Sequence, residues 1–157
     1  MKKIFLFIGF LTLSFFTANA QEISDNAIGL RLGDNDGFGA EISYQRKLSD
    51  NNRLEIDLGL RNGSNYDGFK ATGLYQWVWQ LENNFNWYAG AGGGLGHWND
   101  KNSDFSETYL FVSGVIGIEY NFDIPLLISL DFRPDIGFGD RYKNFNSDFG
   151  LGIRYQF

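Results

Sequence analysis

From residue 26 to the carboxyl terminus, apolar and polar residues alternate with a period of two, and helical periodicity is hard to find. The cleanest stretch is Arg53 to Arg61, where every even position is aliphatic and every odd one is charged or Gly. On a strand, Leu54, Ile56, Leu58 and Leu60 share one face, and Arg53, Glu55, Asp57 and Arg61 share the other. Phe149 to Phe157 repeats the scheme with its apolar set on odd positions, as does the segment from Leu126 to Phe138 with its apolar set on even ones. Turn signals divide the rest, and the pattern predicts eight strands near 26–33, 38–48, 53–62, 68–81, 85–98, 108–122, 126–138 and 148–157.

The connections alternate in character. Ser49–Asn52, Glu82–Asn84 and Asp123–Pro125 are tight turns, whereas 62–67, 99–107 and 139–147 are longer and polar; only Asp34–Gly37 is short on the long-loop side. An even number of strands joined in this way predicts an all-β fold, an eight-stranded antiparallel up-and-down barrel of transmembrane type. A soluble barrel would place the apolar face inside. Three features favour the inverse. Aromatics collect at both ends of the apolar face: Tyr44, Trp79, Phe85, Trp87, Tyr120, Phe122, Tyr155 and Phe157 near the tight turns, and Phe38, Phe69, Phe138 and Phe149 near the long loops. The ten steps from Phe69 to Trp79, at ~3.3 Å each and a tilt of about 40°, span roughly 25 Å of height, the thickness of a lipid-facing band.

The third feature is the opposite face. By parity it holds Arg31, Lys47, Arg53, Arg61, Lys70, Arg133 and Arg154 against Glu41, Glu55, Asp57, Glu119, Asp131 and Asp135. These charges balance to within one, as a narrow lumen requires, and their expected role is a paired network that plugs it. Two details cut across the pattern. Pro134 interrupts strand seven, where a bulge near the long-loop rim would absorb it. Gly90, Gly92, Gly93, Gly94 and Gly96 leave little side chain to read; no helix follows them, so close packing of a bulky lumen neighbour is expected rather than a nucleotide loop.

Lys2-Lys3, an apolar run from Ile4 to Phe16 and the Ala-x-Ala ending at Ala20 have the layout of a secretory signal peptide over residues 1–20, which leaves a barrel domain of 21–157. The 157-residue chain has 16 Phe, 8 Tyr, 4 Trp and 20 Gly but only 2 Pro and no Cys. Without Cys, disulfide frameworks, Cys-ligated zinc, thiol catalysis and a lipidated Cys anchor are excluded. The formal net charge of −6 makes the chain a poor nucleic-acid binder, so no nucleic-acid partner is expected.

The mature chain resembles the small eight-stranded outer-membrane proteins of Gram-negative bacteria, the OmpX-like, OmpW-like and opacity-type surface antigens. The most specific carrier is the last strand, Gly152-Ile153-Arg154-Tyr155-Gln156-Phe157, with its aromatic carboxyl terminus. The resemblance implies that Leu151, Ile153, Tyr155 and Phe157 form the signal read by the barrel-assembly machinery. It also implies an outer-membrane location among lipid and lipopolysaccharide, no cofactor and no single activity.

Chemistry finds few footholds. The one His, His97, lies at the long-loop end of strand five beside Trp98, with Ser103, Ser106, Asp100, Asp104 and Glu107 nearby. Nucleophilic catalysis needs a Ser and an acid at fixed reach, and nothing in this loop sets that geometry, so His97 and Trp98 are expected at the membrane interface. Asp34-Asn35-Asp36-Gly37 resembles the start of a calcium loop but lacks its later ligands, so a hairpin turn is expected and no metal. With charges of −4 over the long connections, direct attraction to lipopolysaccharide would need bridging divalent cations. The leading expectation is a non-enzymatic barrel with a structural or surface-interaction role. The alternatives are a small-solute channel or ligand-binding barrel, and a membrane-embedded lipid A-type hydrolase using His97.

Overall fold

The computed structural model describes residues 23–33, 39–62, 65–103, 106–139 and 145–157. The expected signal peptide, the Asp34–Gly37 turn and Phe38 lie outside them. Eight strands follow one another: β1 Asn26–Leu32, β2 Ala40–Ser49, β3 Asn52–Asn62, β4 Tyr66–Glu82, β5 Phe85–Asp100, β6 Ser106–Asn121, β7 Leu126–Gly137 and β8 Phe145–Gln156. Each pairs antiparallel with the next, and β1 closes on β8 to complete a barrel. The seam is fastened by the last residue: Asn26 N–H donates to the Phe157 carbonyl at 3.0 Å, and Phe157 N–H returns to the Asn26 carbonyl at 2.9 Å.

The tight turns are tighter than the sequence pattern suggests. Only Asp50-Asn51 separates β2 from β3, and only Asn83-Asn84 separates β4 from β5. Asn83 takes φ 46°, a left-handed conformation that Asn tolerates better than most residues and that the favoured two-residue turns use. At the other end β4, β5 and β6 run past their expected limits, with Tyr66 paired to Asp100 and Asn99 to Ser106. Pairing persists there while the apolar alternation fades.

Alternation places the aliphatic set outside. Ile56, Leu60, Leu110, Ile116, Leu130 and Ile153 are exposed, while Arg53, Glu55, Asp57, Lys70, Asp131 and Arg154 are buried in the lumen. The barrel is thus the inverse of a soluble one. Its apolar interior includes one cluster, Leu74, Val78, Tyr88 and Val115, with Ile23, just ahead of β1, packed against it, and the buried rings of Tyr109 and Phe111.

Pro134 is accommodated without the expected bulge. The β6–β7 ladder lapses where Gly114 and Val115 face Pro134 and Arg133, then resumes at Ile116–Phe132 in unchanged register. Proline offers no N–H to β6 there, and Gly114, bare of side chain, lies opposite the ring. The glycines of β5 serve close approach. A Cβ on inward-facing Gly94 would strike the Ala71 carbonyl and the Phe111 ring, and one on Gly96 would strike the Tyr109 ring.

Candidate functional site

Among the described residues, polar side chains from every strand converge in the lumen. Arg31 on β1 binds three acids: Asp131 Oδ1 at 2.6 Å, Asp148 Oδ2 at 2.7 Å and Glu41 Oε2 at 3.2 Å. Arg133 on β7 crosses to the opposite wall and meets Glu41 at 3.3 Å, Glu55 at 2.9 Å and Asp57 at 2.7 Å. Arg154 on β8 donates to Glu55 at 3.2 Å and to the Ser43 and Ser129 hydroxyls at 2.9 and 2.8 Å. Glu41 therefore bridges Arg31 to Arg133, and Glu55 bridges Arg133 to Arg154. One continuous network runs from Asp148 to Arg154.

Two smaller groups flank it. Toward the tight turns, Arg53 meets Glu119 at 2.7 Å, donates through Nε to Gln76 at 2.7 Å and lies 4.8 Å from the Tyr88 ring centroid. Toward the long loops, Lys70 binds Asp135 at 2.7 Å beneath the Phe111 ring, and Asp135 also accepts from the Ser113 hydroxyl. Each guanidinium forms several charge-assisted bonds, the condition under which buried charge is tolerated. Between Ile23, Ala27, Gln45, Arg53, Asn86, Glu119 and Leu127 the enclosed space is about 10 Å³, room for one water.

Eleven of the thirteen expected lumen charges are buried: Arg31, Glu41, Arg53, Glu55, Asp57, Lys70, Glu119, Asp131, Arg133, Asp135 and Arg154. Lys47 lies at the tight-turn mouth, 3.8 Å from the exposed Asp50 carboxylate. The Arg61 side chain lies outside the described residues. Asp148, missed by the sequence reading, belongs to the network through Arg31. Its signal was present, since the odd-numbered apolar set from Phe149 onward turns even positions inward.

The outer wall carries aromatics at both ends. Trp79 stacks on Trp87 with centroids 4.3 Å apart, and Phe85, Tyr120 and Phe122 form two edge contacts at 4.7 and 4.6 Å. Tyr155 stacks on Phe157, so the proposed assembly residues Leu151, Ile153, Tyr155 and Phe157 all lie on the exposed face of β8. His97 also faces outward. Its ring stacks on Phe69 at 6.1 Å, and Nδ1 lies 3.0 Å from the Thr108 hydroxyl, its cross-strand neighbour. Its partner is thus a threonine rather than the serines and acids of the adjoining loop. Trp98 departs from expectation: it shares the inward face of buried Gly96 rather than the outward face of His97.

No protein-family model matches this chain, and no curated protein sequence matches it. Solved structures do. The N-terminal β-barrel domain of Pseudomonas aeruginosa OprF aligns with a TM-score of 0.67 and 16% identity, over 85% of this chain and 98% of that one. Neisserial surface protein A aligns with a TM-score of 0.62 and 16% identity, over 84% and 94%. Ail, the attachment invasion locus protein of Yersinia pestis, aligns with a TM-score of 0.57 and 14% identity, over 85% and 97%. The fold is that of the small eight-stranded outer-membrane barrels.

Proposed function

We propose that this chain is exported to an outer membrane and serves there as a non-enzymatic barrel with a structural or surface-interaction role, its lumen plugged by ion pairs. The observation that carries the reading is the inverted wall: an aliphatic exterior framed by aromatics, around charges that are paired across the interior. Such a surface matches hydrocarbon between two interfaces and would aggregate in water. The Arg31, Arg133 and Arg154 staples cross the bore, which argues for a plug over a solute channel. Among the described residues the polar partner of His97 is Thr108, with no serine and acid lined up behind it, which argues against the hydrolase reading. A surface role is supported by the strands that extend past the long-loop aromatics.

Refolding into vesicles, followed by gel mobility with and without heating and by planar-bilayer recording, tests this reading. The expected result is a heat-modifiable barrel that passes no sustained current. Steady open-channel currents would overturn the plug, and a chain that stays in the aqueous phase would overturn the membrane reading.

A further inference from the structure

The outward positions of the eight strands carry two formal charges among the described residues. Asp67 lies beyond Phe69 at the long-loop end and accepts from the Asn99 amide at 3.1 Å. The other is Arg46, alone on an otherwise apolar wall, on β2 near the tight turns. It sits one outward step past Tyr44, in register with Asn26 and Leu54. That row continues through Asn26 to Phe157, so the guanidinium emerges at the level of the aromatic end, where lipid headgroups begin.

Arg46 is oriented, and its charge is left open. Nη1 donates to Asn26 Oδ1 at 2.8 Å, and the Tyr44 hydroxyl donates to the same oxygen at 2.7 Å. Asn26 is in turn tied to the barrel seam through its amide, 3.5 Å from the Phe157 carbonyl. This anchor is neutral and uses one of the five N–H donors that a guanidinium carries. No described carboxylate pairs with Arg46, unlike every guanidinium of the lumen network. A fixed cation with a free donor fork at headgroup depth matches the oxygens of a phosphate, which arginine binds bidentately.

We propose that Arg46, held by Asn26 and Tyr44, binds the phosphodiester of an anionic phospholipid in the leaflet on the tight-turn side. A headgroup with net negative charge is preferred over a zwitterionic one, which brings its own cation to a site that already holds one. The inference rests on the membrane reading above and adds a ligand to it.

The test uses the full barrel refolded in bicelles containing phosphatidylglycerol and phosphatidylcholine of equal chain length, with retained lipids counted by native mass spectrometry. Wild type should retain phosphatidylglycerol over phosphatidylcholine by about fivefold, the ratio expected for one interfacial cation. Arg46→Gln should bring the ratio to parity, and Arg46→Lys should keep part of it. Equal retention by the wild type overturns the proposal whatever the variants do, as does an unchanged ratio in Arg46→Gln. Inorganic phosphate forms a separate arm. If it strips phosphatidylglycerol from the wild type, the ligand is a free anion and the lipid assignment falls. Heat-modifiable gel mobility of each sample reports insertion independently, so failure of the membrane reading would show there and not in the lipid ratio.

Discussion

Replacing Arg133 by Met removes the guanidinium on which three carboxylates converge, Glu41 at 3.3 Å, Glu55 at 2.9 Å and Asp57 at 2.7 Å. Methionine retains part of the aliphatic length and fills irregular space, so the change tests charge more than volume. The loss is not shared equally. Glu41 keeps Arg31 and Glu55 keeps Arg154, each at 3.2 Å, whereas Asp57 loses its only ion pair among the described residues. Removing one partner of a buried pair costs about 3–5 kcal/mol, and the expected destabilisation of Arg133→Met lies in that range. Asp57→Asn should cost less, because Arg133 retains two acids. The double variant should lose less than the two singles combined, by about 1–3 kcal/mol, since the stranded carboxylate is gone. Urea unfolding in lipid vesicles, followed by Trp fluorescence and by the fraction of heat-modifiable barrel, measures all three. If Arg133→Met stays within about 0.5 kcal/mol of wild type, as an ordinary surface change would, the cross-lumen staple contributes nothing and the reasoning fails.

Two further outcomes follow from the wall. Ile56→Arg puts a charge on an outward mid-strand position and should destabilise the lipid-embedded barrel by about 2–4 kcal/mol, while Ser43→Arg crowds the buried hydroxyl that accepts from Arg154 and should instead impair folding in detergent and lipid alike. Normal insertion of Ile56→Arg would refute the orientation of the strands. Pro134→Val restores a donor opposite Gly114 and should stabilise by roughly 0.5–1.5 kcal/mol, with the amide at position 134 becoming protected in hydrogen exchange; rapid exchange there would mean that the ladder lapse has another cause.

Much of this was legible because a strand's period of two is also the period of inside and outside. Leu54 to Leu60 could be placed on one wall and Glu55 and Asp57 on the other before any coordinates, and the same parity held through β7 and β8. What parity cannot supply is a partner. It turns Arg133 inward yet says nothing of Glu55 and Asp57, which stand four strands away and some 76 residues earlier in the chain. Asp148 was lost for a simpler reason: it opens the strand expected over 148–157, ahead of the first apolar residue that sets the parity, whereas β8 already begins at Phe145. Trp98 was misplaced because its neighbour His97 suggested a shared interface, although adjacent strand residues face opposite ways. At the loop end of β4 to β6, polar residues such as Asp67 and Asn99 hide strands that only the hydrogen-bond ladder reveals. The accommodation of Pro134 depends on which neighbouring strand its nitrogen faces, and alternation is blind to that.

The staples also bear on how the barrel comes into being. Arg31 on the first strand finds its acids on β2, β7 and β8, and Arg154 on the last strand finds Ser43 and Glu55 on β2 and β3. Most of these bonds require the two ends of the sheet to have met. A half-zipped sheet would therefore carry bare guanidinium and carboxylate groups that hold water and resist transfer into hydrocarbon. Closure of the seam is then the event that neutralises the interior, and on the membrane reading proposed above it has to accompany entry into hydrocarbon. A chain lacking one terminal strand would not make a narrower barrel. It would remain an unclasped ribbon with its charges still wet.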